Sequence, residues 1–295
     1  MKPNRSHGLE GITSEILMLL AEVLVVSLTY IINSFIVTGK FPSNWKVAKV
    51  VPLNKKGDRK ALQNYRPVAQ LCTPGMVLER VIDLQIEKFF ENNELFGKFQ
   101  FGFRNKKSTI SEILTMFDSL LEAKDMKKEI LVVLYDLSSA FDTVSHEVLL
   151  TKLKIYGINE HSIKWVKSYL ENRKQMVTIC GQLSSTQHIE IGTPQGSRLS
   201  PLYFVCIMAD MNLWTEKSKL SNFADDTQSI VVSNTVEETL ETTKKEANSV
   251  ISFFECNNLV NNANKAAILY NSKGKGKSVA IENIGGERKT SWIAH

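Results

Sequence analysis

The chain has 295 residues, 43% of them hydrophobic, with a formal net charge of +5; this supports one large or two modest globular domains and excludes a disordered or fibrous chain. The modest basic excess permits nucleic acid as a partner without demanding it. Cys72, Cys180, Cys206 and Cys256 are scattered with no C-x-x-C pair, which excludes the usual zinc and dithiol patterns and fits a reduced, intracellular protein of the nucleus or cytoplasm. The positive charge is clustered: Lys46, Lys49, Lys55, Lys56, Arg59 and Lys60 in one segment, Arg104, Lys106 and Lys107 in another, Lys273, Lys275 and Lys277 in a third. Such runs serve either as solvated surface or as phosphate contacts.

In chain order, residues 13 to 38 read as one helix closed by Gly39, with Phe41-Pro42 just beyond. Val23 to Gly39 is free of charge for 17 residues but carries Ser27, Thr29, Asn33, Ser34 and Thr38, short of the roughly 18 to 20 strongly apolar residues of a membrane span. The expectation is a buried helix of a soluble domain, with no membrane partner and no secretory signal or other targeting signal. Lys46 to Leu53 alternates as a strand, Lys55 to Asp58 forms its turn, and Asn64-Tyr-Arg-Pro-Val68 returns extended because Arg66 precedes a proline. Lys55 and Arg66 are thereby expected near one another on adjacent strands. Met76 to Glu91 and Thr109 to Lys124 carry apolar residues at helical spacing, as do a helix starting near Ser145 and one from His161 to Leu170 capped by Asn159.

Lys174 to Cys180 and His188 to Ile191 form a strand pair around a turn at Gly181 to Ser185. Ser200-Pro201 opens a helix, cap then proline, and Leu202 to Met208 is apolar on every side and so buried. Thr235 to Asn257 is a further amphipathic helix, and Asn258 to Tyr270 leads into a late strand.

Two stretches end an apolar run on aspartate. Ile130 to Tyr135 runs into Asp136, and Leu220 to Ala224 runs into Asp225-Asp226 at the tip of a hairpin completed by Thr227 to Val232. An aspartate after a strand also serves as a turn residue or helix cap. If the two strands are neighbours, three carboxylates meet, and a bound divalent cation with hard oxygen ligands resolves their repulsion.

Five separated blocks, in order, resemble those of reverse transcriptases of the non-LTR (LINE-type) retrotransposon kind. They are Val50-Val-Pro-Leu-Asn-Lys-Lys-Gly-Asp58 with Asn64-Tyr-Arg-Pro67; Gln100-Phe-Gly-Phe-Arg104 with Ser108-Thr109; Asp136-Leu-Ser-Ser-Ala-Phe-Asp-Thr-Val144 with His146; Gly192-Thr-Pro-Gln-Gly-Ser197; and Phe223-Ala-Asp-Asp226. Fainter matches lie at Gly8 to Ile12 and at Asn258 to Asn262 with Lys265. Departures at Glu10, Lys56, Thr193, Arg198, Asn261 and Ala266 remove no metal ligand.

The resemblance implies an α/β (α+β) right-hand polymerase fold: fingers over 1–125, a palm with an antiparallel sheet packed on helices over 126–271, and the start of a primer-grip region over 272–295, the thumb being truncated. It implies an RNA-directed DNA polymerase that adds dNTPs to a DNA primer on an RNA template, with two Mg2+ ions, or Mn2+ in their place. Asp136, Asp225 and Asp226 are implied as catalytic metal ligands, Asp226 in a supporting role because side chains alternate along a strand. Phe141 is implied beneath the incoming sugar, where it disfavours a 2′-hydroxyl; its alternative is a core ring. Lys55 and Arg66 are implied at the triphosphate, Gln195 and Gly196 at nucleotide and template, and Lys265 as proton donor to pyrophosphate. Asp142 is expected to be a turn or helix-start residue. Two rival classes stand beside this reading: a truncated copy that binds nucleic acid without synthesis, and another two-metal palm enzyme such as a nucleotide cyclase, which has no need of the Gln100–Arg104 and Pro194–Gly196 blocks.

Overall fold

The computed structural model describes residues 6–55, 57–263 and 266–271. Its elements run α1 (Ser14–Leu19), α2 (Ala21–Thr38), β1 (Val47–Asn54), β2 (Tyr65–Gln70), α3 (Thr73–Asn92), α4 (Thr109–Asp125), β3 (Glu129–Tyr135), α5 (His146–Ile155), α6 (Glu160–Leu170), β4 (Arg173–Ile179), β5 (Gln182–Leu183), β6 (Gln187–Ile189), α7 (Leu199–Met208), β7 (Lys219–Phe223), β8 (Asp226–Ser233), α8 (Val236–Cys256) and β9 (Ala267–Asn271). They divide into two compact units interleaved in sequence, one of Met1–Phe89 with Phe141–Tyr203 and one of Phe90–Ala140 with Phe204–His295.

In the first unit β1 pairs antiparallel with β2, bringing Val50 opposite Ala69, and parallel with β4, bringing Ala48 opposite Gln175. A parallel pair requires a long crossover, and here α5 and α6 lie within it. β4 pairs further with β5 and β6, so the turn expected at Gly181 to Ser185 contains a short strand of its own. Helix starts are set by local chemistry: Asn159 Oδ1 accepts the Ser162 N–H at 2.9 Å and Ser145 Oγ accepts that of Val148 at 3.4 Å. The inner face of α6, with Trp165, Val166, Tyr169 and Leu170, is buried. Phe41 stands edge-on to Trp45, Trp165 and Tyr169 at centroid distances of 6.1, 5.8 and 5.0 Å, a favourable arrangement of ring quadrupoles.

The first helix departs from expectation twice. It breaks at Leu20 into α1 and α2, and α2 is mostly exposed: Val23 and Tyr30 are each 78% accessible, and Ile32 is its buried residue. The C-terminal part of α2 has packing partners, Phe35 against Trp45 at 5.4 Å and the Ile36 carbonyl bonded to His161 Nε2 at 2.8 Å. Apolar composition drives burial only where a facing surface exists. Among the described residues α2 is the one helix long and apolar enough to cross a membrane, by length and composition. Gly39 closes it in the left-handed conformation, φ 65°, as expected. A smaller correction concerns α7, which begins at Leu199, so Ser200 lies inside it; the Leu199 N–H is capped by Ser197 Oγ at 3.0 Å, and the Ser200 hydroxyl donates to the Pro194 carbonyl at 2.8 Å. Leu202 through Met208 are buried, as the all-round apolar pattern predicts.

The second unit is built on an antiparallel sheet in the order β7-β8-β3-β9. β3 is central, and Ile130 through Val133 are all buried, the pattern of a strand covered on both faces. Ile130 and Val132 pack with Ala123, Met116 and Leu120 of α4 and with Ile230. On the alternate face Tyr135 meets Phe254 of α8, centroids 6.1 Å apart. Complete burial of each such aliphatic side chain contributes about 1.5–3 kcal/mol, which makes β3 a rigid base for the aspartate at its end.

Candidate active site

In the second unit the strands carrying the aspartates are neighbours. β3 and β8 pair from Glu129↔Ser233 to Tyr135↔Thr227, so Asp136 leaves β3 at the level where β8 begins with Asp226. The β7–β8 hairpin closes with Phe223 opposite Asp226, leaving Ala224 and Asp225 as its two-residue tip. Asp136 and Asp225 are half-buried and Asp226 is exposed. The Asp136 carbonyl accepts the Asn262 N–H at 2.8 Å and the Ser138 N–H reaches the Val260 carbonyl at 2.8 Å, which fixes the backbone after β3.

The electrostatics agree with the grouping. The Asp226 carboxyl is pushed above the usual carboxylate range, first by partial desolvation and then by the charges of Asp225 and Asp136. Among the described residues no three acidic, histidine or cysteine side chains stand close enough together, as placed, to hold a metal ion by themselves. Carboxylates are the hard oxygen donors that Mg2+ or Mn2+ takes, and such ions complete their coordination with water and phosphate oxygens. A fourth carboxylate, Glu112 of α4, lies close by. It is 8% exposed, accepts from Ser221 Oγ at 3.1 Å and Gln228 Nε2 at 3.4 Å, and is raised by burial with Asp226 adding to the shift.

The first unit assembles the other candidate residues. Leu53 pairs with Arg66, and the Lys55 N–H continues the ladder to the Asn64 carbonyl at 2.8 Å. Lys55, one residue beyond β1, and Arg66 of β2 therefore stand near one another at the end of this strand pair, both exposed. The segment from Phe141 to Val144 is stitched to the Gly192 loop: the Thr193 N–H donates to the Phe141 carbonyl and the Gly192 N–H to the Val144 carbonyl, each at 2.9 Å, and His146 Nε2 bonds the Gly192 carbonyl at 2.7 Å. Phe141 is half-buried. Gln195 Nε2 donates to both oxygens of Asp142 at 2.8 Å, and the Gln195 carbonyl accepts the Ala69 N–H of β2 at 2.9 Å. Gly196 has φ 112°, and a Cβ there would stand 2.7 Å from the Ala69 carbonyl oxygen, so glycine is needed for this close approach. Lys265 lies outside the described residues, as do residues 272–295.

Several contributors escaped the sequence reading. Asp142, expected as a turn residue, is the anchor of Gln195. Glu79, 1% exposed on α3, accepts from Tyr169 Oη and Ser197 Oγ at 3.0 Å and from the Arg198 N–H at 2.9 Å. The signals for Glu79 and Glu112 were acids at helix positions otherwise facing the core.

The sequence matches the family model described as reverse transcriptase (RNA-dependent DNA polymerase) over residues 53–289. It is 33% identical over 212 residues to the RNA-directed DNA polymerase from mobile element jockey of Drosophila funebris, covering 72% of this chain and 23% of that protein. It is 29% identical over 244 residues to the probable RNA-directed DNA polymerase from transposon BS of Drosophila melanogaster, covering 78% and 26%; the chain thus spans about a quarter of the length of these relatives. Among solved structures the fold is similar to apo telomerase from Candida tropicalis truncated from its C-terminal domain, with a TM-score of 0.58 at 14% identity over 80% of this chain and 52% of that one. That likeness shows a right-hand polymerase fold. With a family match over most of its length carried on that fold, the chain belongs to the reverse transcriptase (RNA-dependent DNA polymerase) family.

Proposed function

We propose that the protein is the polymerase of a non-LTR retrotransposon and extends a DNA primer with dNTPs on an RNA template. The observation that carries this is the meeting of Asp136 with Asp225 and Asp226 at the ends of neighbouring strands, where partial desolvation and then the charges of Asp225 and Asp136 raise Asp226. Asp136 and Asp225 would hold two divalent cations, with Asp226 in support. Bound there, Mg2+ or Mn2+ would neutralise charge on the attacking 3′-oxygen and on the leaving pyrophosphate.

The chain's own residues bind and orient. We assign 1–125 to the fingers and 126–271 to the palm. Lys55 and Arg66 present a cation pair from the end of the β1–β2 pair to a triphosphate, the guanidinium offering a planar fork of donors. Phe141, held through its carbonyl by Thr193, packs against the sugar and disfavours a 2′-hydroxyl. Gln195, fixed by Asp142, and Gly196, fixed against Ala69, orient nucleotide and template. Lys265 is assigned as the proton donor to pyrophosphate.

The test is primer extension by the purified chain on an RNA template with Mg2+, beside Asp225→Ala. Extension by the first and loss of it in the variant are expected. A folded chain that binds template and primer yet adds no nucleotide in any divalent metal contradicts the proposal.

A further inference from the structure

Asp225 sits at the end of a turn whose geometry is unfavourable on its own. Ala224, immediately before it, has φ 60°, the left-handed region where a residue with a Cβ is destabilised by about 1–2 kcal/mol. Ala224 also lies outside the β7–β8 ladder, which ends at Phe223↔Asp226. The flanking Phe223↔Asp226 pair closes the turn, and a further contact to the Ala224 N–H bears directly on its geometry.

The Gln100–Arg104 block supplies that contact. Its start runs alongside β7 on the edge away from β8: the Asn222 N–H donates to the Phe99 carbonyl and the Phe101 N–H to the Asn222 carbonyl, both at 2.8 Å, making a parallel bridge between Gln100 and Asn222. Gln100 is 3% exposed, and its side-chain Oε1 accepts two backbone N–H groups, Gly102 at 2.9 Å and Ala224 at 3.3 Å. Gly102 presses so close to the turn that a Cβ there would lie 2.9 Å from the Phe223 carbonyl carbon and collide with the Ala224 nitrogen. Arg104 fastens the far end, with Nε and Nη2 on the Glu91 carboxylate at 2.9 and 2.7 Å and Nη1 on the Gly97 and Gln100 carbonyls at 2.9 and 3.1 Å.

We propose that Gln100 is a positioning residue for Asp225: its side-chain oxygen pins the Ala224 amide and so fixes the left-handed turn that aims the Asp225 carboxylate. Gln100 touches neither substrate nor metal in this scheme and acts through the backbone. The inference rests on the reverse transcriptase reading and adds the element that sets the metal ligand's geometry. Loss of the Gln100 acceptor therefore alters metal use and turnover, whereas nucleotide affinity stays where the other residues set it.

The test compares wild type with Gln100→Met, which keeps the side chain's length and removes the acceptor. Primer extension is measured as a function of Mg2+ and of dNTP. The inference predicts a fall in kcat of about tenfold or more, typical for loss of a group that orients a metal ligand, together with a severalfold rise in the Mg2+ concentration for half-maximal rate. KM for dNTP and affinity for template and primer stay unchanged. An active wild type with an equally active variant, or a variant changed only in dNTP KM, overturns the inference; an inactive wild type overturns instead the polymerase reading. A second measurement needs no variant: hydrogen exchange of the Ala224 amide in the wild-type chain by NMR. Protection comparable to the β7 amides supports the pin, and exchange at the rate of an open turn overturns it.

Discussion

The backbone N–H of Arg198 donates to the buried carboxylate of Glu79 at 2.9 Å, so a helix of the first unit holds the end of the Gln195–Gly196 loop through one charge. Tyr169 and Ser197 donate to the same carboxylate, and burial pushes its pKa up while the Arg173 guanidinium opposes the shift. Arg173 is 2% exposed and lies 4.7 Å from the Tyr169 ring centroid and 5.9 Å from that of Phe41.

Removing Glu79 leaves the Tyr169 and Ser197 hydroxyls and the Arg198 N–H without their buried acceptor. Glu79→Ala is expected to destabilise the chain by about 1–3 kcal/mol for each donor left unpaired, read as a lowered urea midpoint, with Glu79→Gln less affected because an acceptor remains. Unchanged stability in the alanine variant would show that the network is dispensable.

Gly196→Ala tests the close approach to β2. The new Cβ is caught between a φ of 112° and the Ala69 carbonyl, so the loop must shift. A several-fold rise in dNTP KM is expected, with a loss of stability of at least about 1 kcal/mol from the incompatible backbone alone. Wild-type kinetics in this variant would mean that Gly196 does not set the loop's position for nucleotide.

Asp226 gives a pH dependence with a defined sign. Its folded-state pKa is raised above the ordinary aspartate value, so the folded form binds the proton more tightly than the unfolded chain. Between the unfolded and folded pKa values, stability therefore falls as pH rises, and the full cost persists above the folded pKa. In chelator at neutral pH, Asp226→Asn is expected to melt at a higher temperature than wild type, the difference shrinking as pH is lowered towards the acid range. Added Mg2+ is expected to raise the wild-type midpoint through preferential binding to the folded state. A variant less stable than wild type in chelator would contradict the repulsive cluster.

Local chemistry explains what was legible in the sequence. The Asn159 cap, the helix start near Ser145, the Gly39 stop and the hairpin with the aspartates at its tip act over a few residues, and each appears where the pattern placed it. That two apolar runs end on acids was legible; that their strands are neighbours stood only as a condition, and it is met by the long-range pairing of β3 with β8. The break at Leu20 and the exposure of α2 were not, since an apolar stretch does not name the surface that covers it. Nor were Glu79, Gln100 and Asp142: their partners stand 118, 124 and 53 residues away, at Ser197, Ala224 and Gln195, and a polar side chain's local sequence carries no trace of so distant a bond. The interleaving of the two units is likewise a product of long-range pairing, β1 with β4 in one and β3 with β8 in the other.

The central claim is that Asp136, Asp225 and Asp226 form a divalent-cation centre, and the most direct measurement is Mn2+ binding by electron paramagnetic resonance with template, primer and dNTP present. Wild type is expected to bind Mn2+, and Asp136→Ala and Asp225→Ala to lose affinity by about tenfold or more, with a smaller loss for Asp226→Ala. Equal Mn2+ binding by all three folded variants and wild type would contradict the account.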